Sequence, residues 1–317
     1  MKYCDLFNRN RDGAREIVSA VGMISGGISF DVWEPLLPLG MRELEAIVGR
    51  EPLDAISEIY NDDMRDIART EREIIRLAQQ AIACFTWLRV IPTLDAQHDV
   101  NGRSRRLGEN EKGLSALQEF KDEQNILRLA YEATDALIAL MERSAFTPWL
   151  DSPKSRMRAG LLIGSKEEFD GYYHIGSHRL FVTLLPIIRE LQTSRIAPVL
   201  GKRHLQEILS DPEGEEAELL REPAARALAL LTMQKAVERL PVEVIPEGVV
   251  QVQQQQTVKQ RIKAEPAARA AVAASLGADA ARYLESLQGL VAELDARGRE
   301  IDRHIPGPIV HSRGMSF

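Results

Sequence analysis

Two cysteines in 317 residues, Cys4 and Cys84, are too few for a disulfide framework, so a reducing compartment is the expected setting. Cys84 stands inside the apolar stretch Ala81-Ile82-Ala83-Cys84-Phe85 and reads as a buried free thiol rather than a redox or metal group. Aromatic residues are scarce, at 5%. Ala, Leu, Glu and Arg dominate instead, and their small or straight side chains favour helix over sheet. There is no surplus of positive charge: the net charge is −7, with 27% of residues charged. That balance argues against a general nucleic-acid binder, which carries a basic domain or stripe. No unbroken apolar run approaches the ~18 residues of a membrane span. Met1-Lys2-Tyr3-Cys4-Asp5 opens without the apolar core of a signal peptide. Contact with a membrane is not expected.

What is present is a pattern stated twice. Ile47-Val48-Gly49 is followed by Leu53 and Ile56, and Val199-Leu200-Gly201 by Leu205 and Ile208, at a shift of 152 residues. Glycine after an apolar stripe fits a helix C-cap with a left-handed backbone. Ser29 or Asp31 starts the first capped helix, with Pro35 in its first turn. Arg69 to Val90 reads as a buried helix, since Ile74, Leu77, Ala78, Ala81, Ile82, Phe85 and Leu88 recur at threes and fours; Pro92 is expected to end it. Asn101-Gly102 favours a tight turn or hairpin, and a long helix is expected from about Glu111 to Glu142.

In the second half, Gly160-Leu161-Leu162-Ile163 suggests a short strand, and Glu167 to His178 an irregular segment. A helix from Arg179 to Val199 is capped by Gly201. Pro223 opens the next helix and Pro241 closes it. The link Val242–Val250 alternates as a hairpin arm would, and Gln253–Gln256 carries no assigned function. Leu137, Ile138 and Met141 correspond to Leu290, Val291 and Leu294 at a shift of 153. The expected architecture is therefore mainly α: two tandem divergent helical repeats of about four helices each, with a short β-hairpin or extended arm. The domains are 1–150 and 151–304, divided near Thr147-Pro148 and Asp151-Ser152-Pro153, and 305–317 is an extended tail set by Pro306 and Pro308.

Candidate chemistry is thin. His174 and His178 have the i, i+4 spacing of a zinc pair, but Gly176 and Tyr172-Tyr173 suggest a loop, and no third ligand accompanies them. Gly160 to Lys166 lacks the Gly-Lys-Ser/Thr ending of a phosphate loop. Glu167-Glu168, Glu215-Glu216 and Asp62-Asp63 lie in turns or at helix starts, where acids complement the helix dipole. The basic clusters Arg103-Ser104-Arg105-Arg106, Lys154 to Arg158 and Lys259 to Lys263 lack interleaved aromatics and read as solvated faces, with an acidic partner or nucleic acid as the alternative. No catalytic residue, cofactor site or metal site is assigned, and the chain is not expected to be an enzyme. The competing enzymatic reading would centre on Glu168, Tyr173 and His174.

Three stretches carry a resemblance. Glu167-Glu168-Phe169-Asp170-Gly171-Tyr172-Tyr173 leads into Phe181, Leu184-Leu185-Pro186-Ile187-Ile188-Arg189, then Ile196-Ala197-Pro198-Val199-Leu200-Gly201. The third is Leu240-Pro241-Val242-Glu243-Val244-Ile245-Pro246-Glu247-Gly248-Val249. Together they resemble a family of uncharacterised proteins of similar length from phages and prophages of Bacteroides-like gut bacteria. In size and helical repeat that family is similar to the head–tail connector, or adaptor, proteins of tailed phages. The resemblance implies a structural virion protein of the phage neck, assembled in the bacterial cytoplasm as a ring of identical subunits, a dodecamer. Its partners would be the portal protein, tail or stopper proteins and, transiently, phage DNA passing through the channel. The other reading is a soluble helical-repeat adaptor that binds a phage or host protein without catalysis.

Overall fold

Apolar residues spaced three and four apart organise the molecule, and helices form wherever that spacing meets a cap. The computed structural model describes residues 6–9, 12–22, 29–99, 102–105, 115–240 and 266–301. The link Val242–Val250, Gln253–Gln256, Lys259 to Lys263 and the tail 305–317 lie outside the described residues, as do Gly26-Gly27 and Pro241.

The first half holds α1 (Gly13–Val21), α2 (Phe30–Trp33), α3 (Leu37–Val48), α4 (Arg50–Asn61), α5 (Arg69–Asp95) and α6 (Ala116–Arg143). Ser29 caps α2 by accepting from the Asp31 amide. Pro35 falls in the turn after α2, and Pro38 opens α3 instead. Helix α6 starts where Ser115 and Gln118 form a reciprocal capping box, not at Glu111. Between α5 and α6, strands β1 (Ala96–Asp99) and β2 (Gly102–Arg105) pair antiparallel, with Asp99 opposite Gly102. The hairpin suggested by Asn101-Gly102 is thus present.

Helix α5 is the spine of this half. It runs through Pro92 rather than ending before it. Proline removes one ladder donor, but the helix stops three residues later, and the Thr93 hydroxyl donates to the Val90 carbonyl at 2.7 Å. Helix α3 crosses α5 closely: a Cβ on Gly40 would overlap Thr86 Oγ1 and lie 2.7 Å from the Ile82 carbonyl oxygen. Trp33 stacks on Trp87 with ring centroids 5.1 Å apart. One 18-residue window of α5 has a mean hydropathy of 1.3, within reach of a membrane span by composition, yet 67% of it is buried among the other helices.

The second half follows two short helices, α7 (Thr147–Leu150) and α8 (Pro153–Arg156), each carrying a proline in its first turn. Then come α9 (Lys166–Tyr172), α10 (His178–Leu191), a π-turn at Gln192–Ile196, α11 (Ala197–Ser210), α12 (Glu215–Arg239) and α13 (Pro266–Ile301). Three expectations are corrected here. Gly160 to Ile163 is not a strand, because its backbone is bonded by side chains and, among the described residues, no partner strand is beside it. Residues 166–172 are helical, because Ser165 and Glu168 form a capping box. Helix α12 opens at Glu215, eight residues before Pro223, where Glu215, Glu216 and Glu218 fill the first turn and complement its dipole.

Helices α12 and α13 pack antiparallel along most of their length. Arg269, near the start of α13, donates to the carbonyls of Val237 and Leu240 at the end of α12, closing a helix C-terminus with a cation. Two apolar cores result. One spans Leu6 to Trp149 and is joined by Val182 of α10; the other spans Leu161 to Leu287.

Candidate functional site

The richest convergence of polar groups joins α6 to the segment before and within α10. Asp135 of α6 accepts from the Ser177 hydroxyl at 2.9 Å and from the Arg179 amide at 2.7 Å. A carboxylate from one half thereby satisfies an N-terminal amide of a helix in the other. The Arg179 guanidinium lies 3.9 Å from the centroid of the Tyr131 ring. That face contact accounts for a buried Arg179 Nε with no hydrogen-bond partner.

Beside this cap, His178 sits between two carboxylates. Its Nδ1 is 3.4 Å from Glu142 and its Nε2 is 3.5 Å from Glu167. The Nδ1 contact lacks hydrogen-bond geometry. Glu142 also receives Arg158 at 2.6 Å. Burial pushes the Glu142 carboxyl up, but His178 and Arg158 beside it outweigh that and hold it below its ordinary value. The arrangement fastens α6 to the second half.

The loop from Gly160 to Ser165 is held from three sides. Gln192, buried in the π-turn, accepts from the Leu162 amide at 2.7 Å and donates to the Gly160 carbonyl at 2.8 Å. Arg189 donates to the carbonyls of Met157 and Ala159. Glu168 accepts from the amides of Gly164 at 2.7 Å and Ser165 at 3.2 Å, and receives Arg221 at 2.8 Å. A carboxylate already occupies the amides that a phosphate would need, so this loop is a helix cap. His174 and His178 do not converge: His174 is exposed beside Asp170, whereas His178 is half-buried at the start of α10. Lys166 and the amides of Ile175 and Gly176 hold Asp170 below the ordinary carboxylate range against its burial.

Sequence reasoning missed His204. It lies 3% exposed, with Nδ1 2.6 Å from Glu216 and Nε2 3.2 Å from Asp295, tying α11 to both α12 and α13. Arg203 reaches the same two carboxylates. Burial raises the Glu216 carboxyl, and the bonds from His204 and Arg203 more than reverse this. Asp295 is lowered chiefly by its bond to His204. The available signal was a histidine four residues from both Leu200 and Ile208, inside an apolar stripe. Its partners are too distant in sequence to predict. The two ring nitrogens face opposite carboxylates, which suits a staple and not a chelate. Among the described residues, no group of three or more His, Cys, Asp or Glu is placed to hold a metal ion.

Of the remaining motifs, Asp62 accepts from the Met64 amide in a local turn, and Arg156 pairs with Asp151. Residues 44–159 and 196–293 match one family model. The chain belongs to DUF6712, a family of unknown function. The DUF6712 match takes in Tyr131, Asp135, Glu142, His204 and Glu216, while His178, Arg179 and Gln192 fall between its two segments. No curated protein and no solved structure matches the chain.

Proposed function

We propose that the chain is a structural subunit that assembles with copies of itself, built from one helical unit used twice, and that its place is the neck of a tailed-phage virion as a head–tail connector. The observation that carries this reading is a set of buried pairs at one offset. Ile17 and Phe169, Trp33 and Leu185, Leu44 and Ile196, Val48 and Leu200, and Ile56 and Ile208 each lie 152 residues apart, and all ten are buried. The two segments of the family match also begin 152 residues apart. Residues kept at a constant offset in two cores serve packing, and a repeated scaffold offers repeated rigid faces to neighbours.

The polar groups support the same reading. Asp135, Glu142, Glu168, Gln192 and His204 are each engaged in holding helices and loops together. The resemblance to phage proteins supplies the finer assignment: a ring between portal and tail or stopper proteins, through which DNA passes. An acidic subunit suits such a channel, since a strongly basic lumen would retain the phosphate backbone. Mass spectrometry of purified virions from a phage encoding this chain tests the assignment. Stoichiometric amounts in intact particles are expected. Absence from particles, together with capture of a non-structural protein, would replace it with the soluble adaptor.

A further inference from the structure

Residues 241–265 leave the end of α12 and return to the start of α13. Those two places adjoin, since Arg269 reaches the Leu240 carbonyl at 3.1 Å. Helix–helix connections usually take ~2–8 residues, and much longer ones tend to carry function. This link is far longer than its span requires. In the first unit the corresponding connection, from α5 to α6, carries the hairpin β1–β2. That correspondence rests on the repeat proposed above.

The hairpin is poorly equipped to stand alone. Strands Ala96–Asp99 and Gly102–Arg105 contain no β-branched or aromatic residue, and His98 is paired in register with Arg103. Such strands lack the cross-strand packing that stabilises a sheet, and an isolated two-stranded hairpin is marginal in water. Helix α5, from which β1 continues without a break, is the element beside it. Among the described residues the sheet has two strands, so each presents an unpaired backbone edge. The link has the residues that the hairpin lacks. Val242-Glu243-Val244-Ile245 and Val249-Val250-Gln251-Val252 are rich in β-branched residues, and Pro246-Glu247-Gly248 between them suits a turn.

We propose that the free edge of β2 is a docking site for the link of a second copy of this chain, with Val242–Ile245 adding a strand beside Gly102–Arg105. The two arms then join into one larger sheet, and independent stability takes about three strands with an apolar face. The valines of the link supply that face. Main-chain hydrogen bonds hold such an added strand, and its side chains decide which strand is accepted. Strand β2 brings Arg103 and Arg105, followed in sequence by Arg106, whereas the link brings Glu243 and Glu247 and no basic residue before Lys259. Opposite charges on neighbouring strands favour that pairing. A link of the second unit seated on a hairpin of the first is a head-to-tail contact, the kind that closes a ring. The proposal thus names a contact behind the self-assembly proposed above, and rests on it.

The test uses full-length chains with Cys4→Ser, which leaves the buried Cys84 as the remaining native cysteine. Chains carrying Ser104→Cys are mixed with chains carrying Val244→Cys and treated with a short bismaleimide. A species of two chains joined through the two introduced cysteines is expected, identified by peptide mass spectrometry. Arg103→Glu with Arg105→Glu should cut its yield about tenfold, the scale of two opposite-charge pairs turned repulsive. Glu243→Arg with Glu247→Arg on the other chain should restore it, and every variant should keep the wild-type circular dichroism. If mass photometry finds assembled chains but this cross-link does not form, or forms equally after charge reversal, the docking is overturned and self-assembly stands. Chains that stay single overturn both.

Discussion

Gly49 and Gly201, 152 residues apart, hold the same backbone shape, with φ 86° and ψ 170° in one and φ 73° and ψ 163° in the other. Gly49 separates α3 from α4 and Gly201 breaks α11 at a kink, and each stands in a region open essentially to glycine alone. A Cβ would meet no atom within 4 Å at Gly201, and contacts no closer than 3.4 Å at Gly49. Alanine should therefore cost stability through backbone strain, by about 1–3 kcal/mol at either position. Urea unfolding of Gly49→Ala and Gly201→Ala checks this. A loss at one position and none at the other would contradict their equivalence.

Both glycines were legible in the sequence as helix stops, although the left-handed C-cap expected there differs from the extended ψ observed. The apolar stripe of α5 was legible too, because Ile74, Ala78, Ala81 and Ile82 face a core at helical spacing. Pro92 and Pro223 misled because proline is tolerated inside a helix when the neighbouring turns hold. The Gly160 to Ile163 run resembled a strand because an apolar run carries no information about its partner. Gln192 and His204 were not legible as structural bonds: their partners lie 30 and 91 residues away, at Leu162 and Asp295.

Acid should loosen the molecule. Glu142 and Glu216 are held below their ordinary value of 4.5 in the folded state. A carboxyl with a depressed folded value contributes stability that is fully present above its unfolded value and is lost as pH falls through the folded one. Urea midpoints should thus fall as pH drops below 4.5. Glu216→Gln should show a shallower fall, because its contribution no longer titrates. An unchanged slope in that variant would rule out the His204–Glu216 bond as a source of stability.

Gln192→Leu should expose the cost of unpaired backbone. The buried Leu162 amide would lose its side-chain partner, at about 1–3 kcal/mol for a buried group left unsatisfied, whereas the carbonyl of the exposed Gly160 can turn to water. Hydrogen exchange at Leu162 should accelerate before global unfolding. Exchange as slow as in the wild type would mean that another group holds the loop.

Cys84 should be inert while the chain is folded. Burial pushes its thiol up to about 11, and the residue is fully buried. At pH 8 a thiol reagent followed by peptide mass spectrometry should find Cys84 unmodified in the native protein and modified in urea. Rapid native labelling would show that α5 opens far more readily than its packing allows.

The central claim is self-assembly of a duplicated helical scaffold, and negative-stain microscopy of the purified chain, paired with mass photometry of the same sample, tests it most directly. The account predicts rings with a central opening and a mass that is an integral multiple of the single chain. A homogeneous population at the single-chain mass, with no rings at any concentration examined, would contradict it.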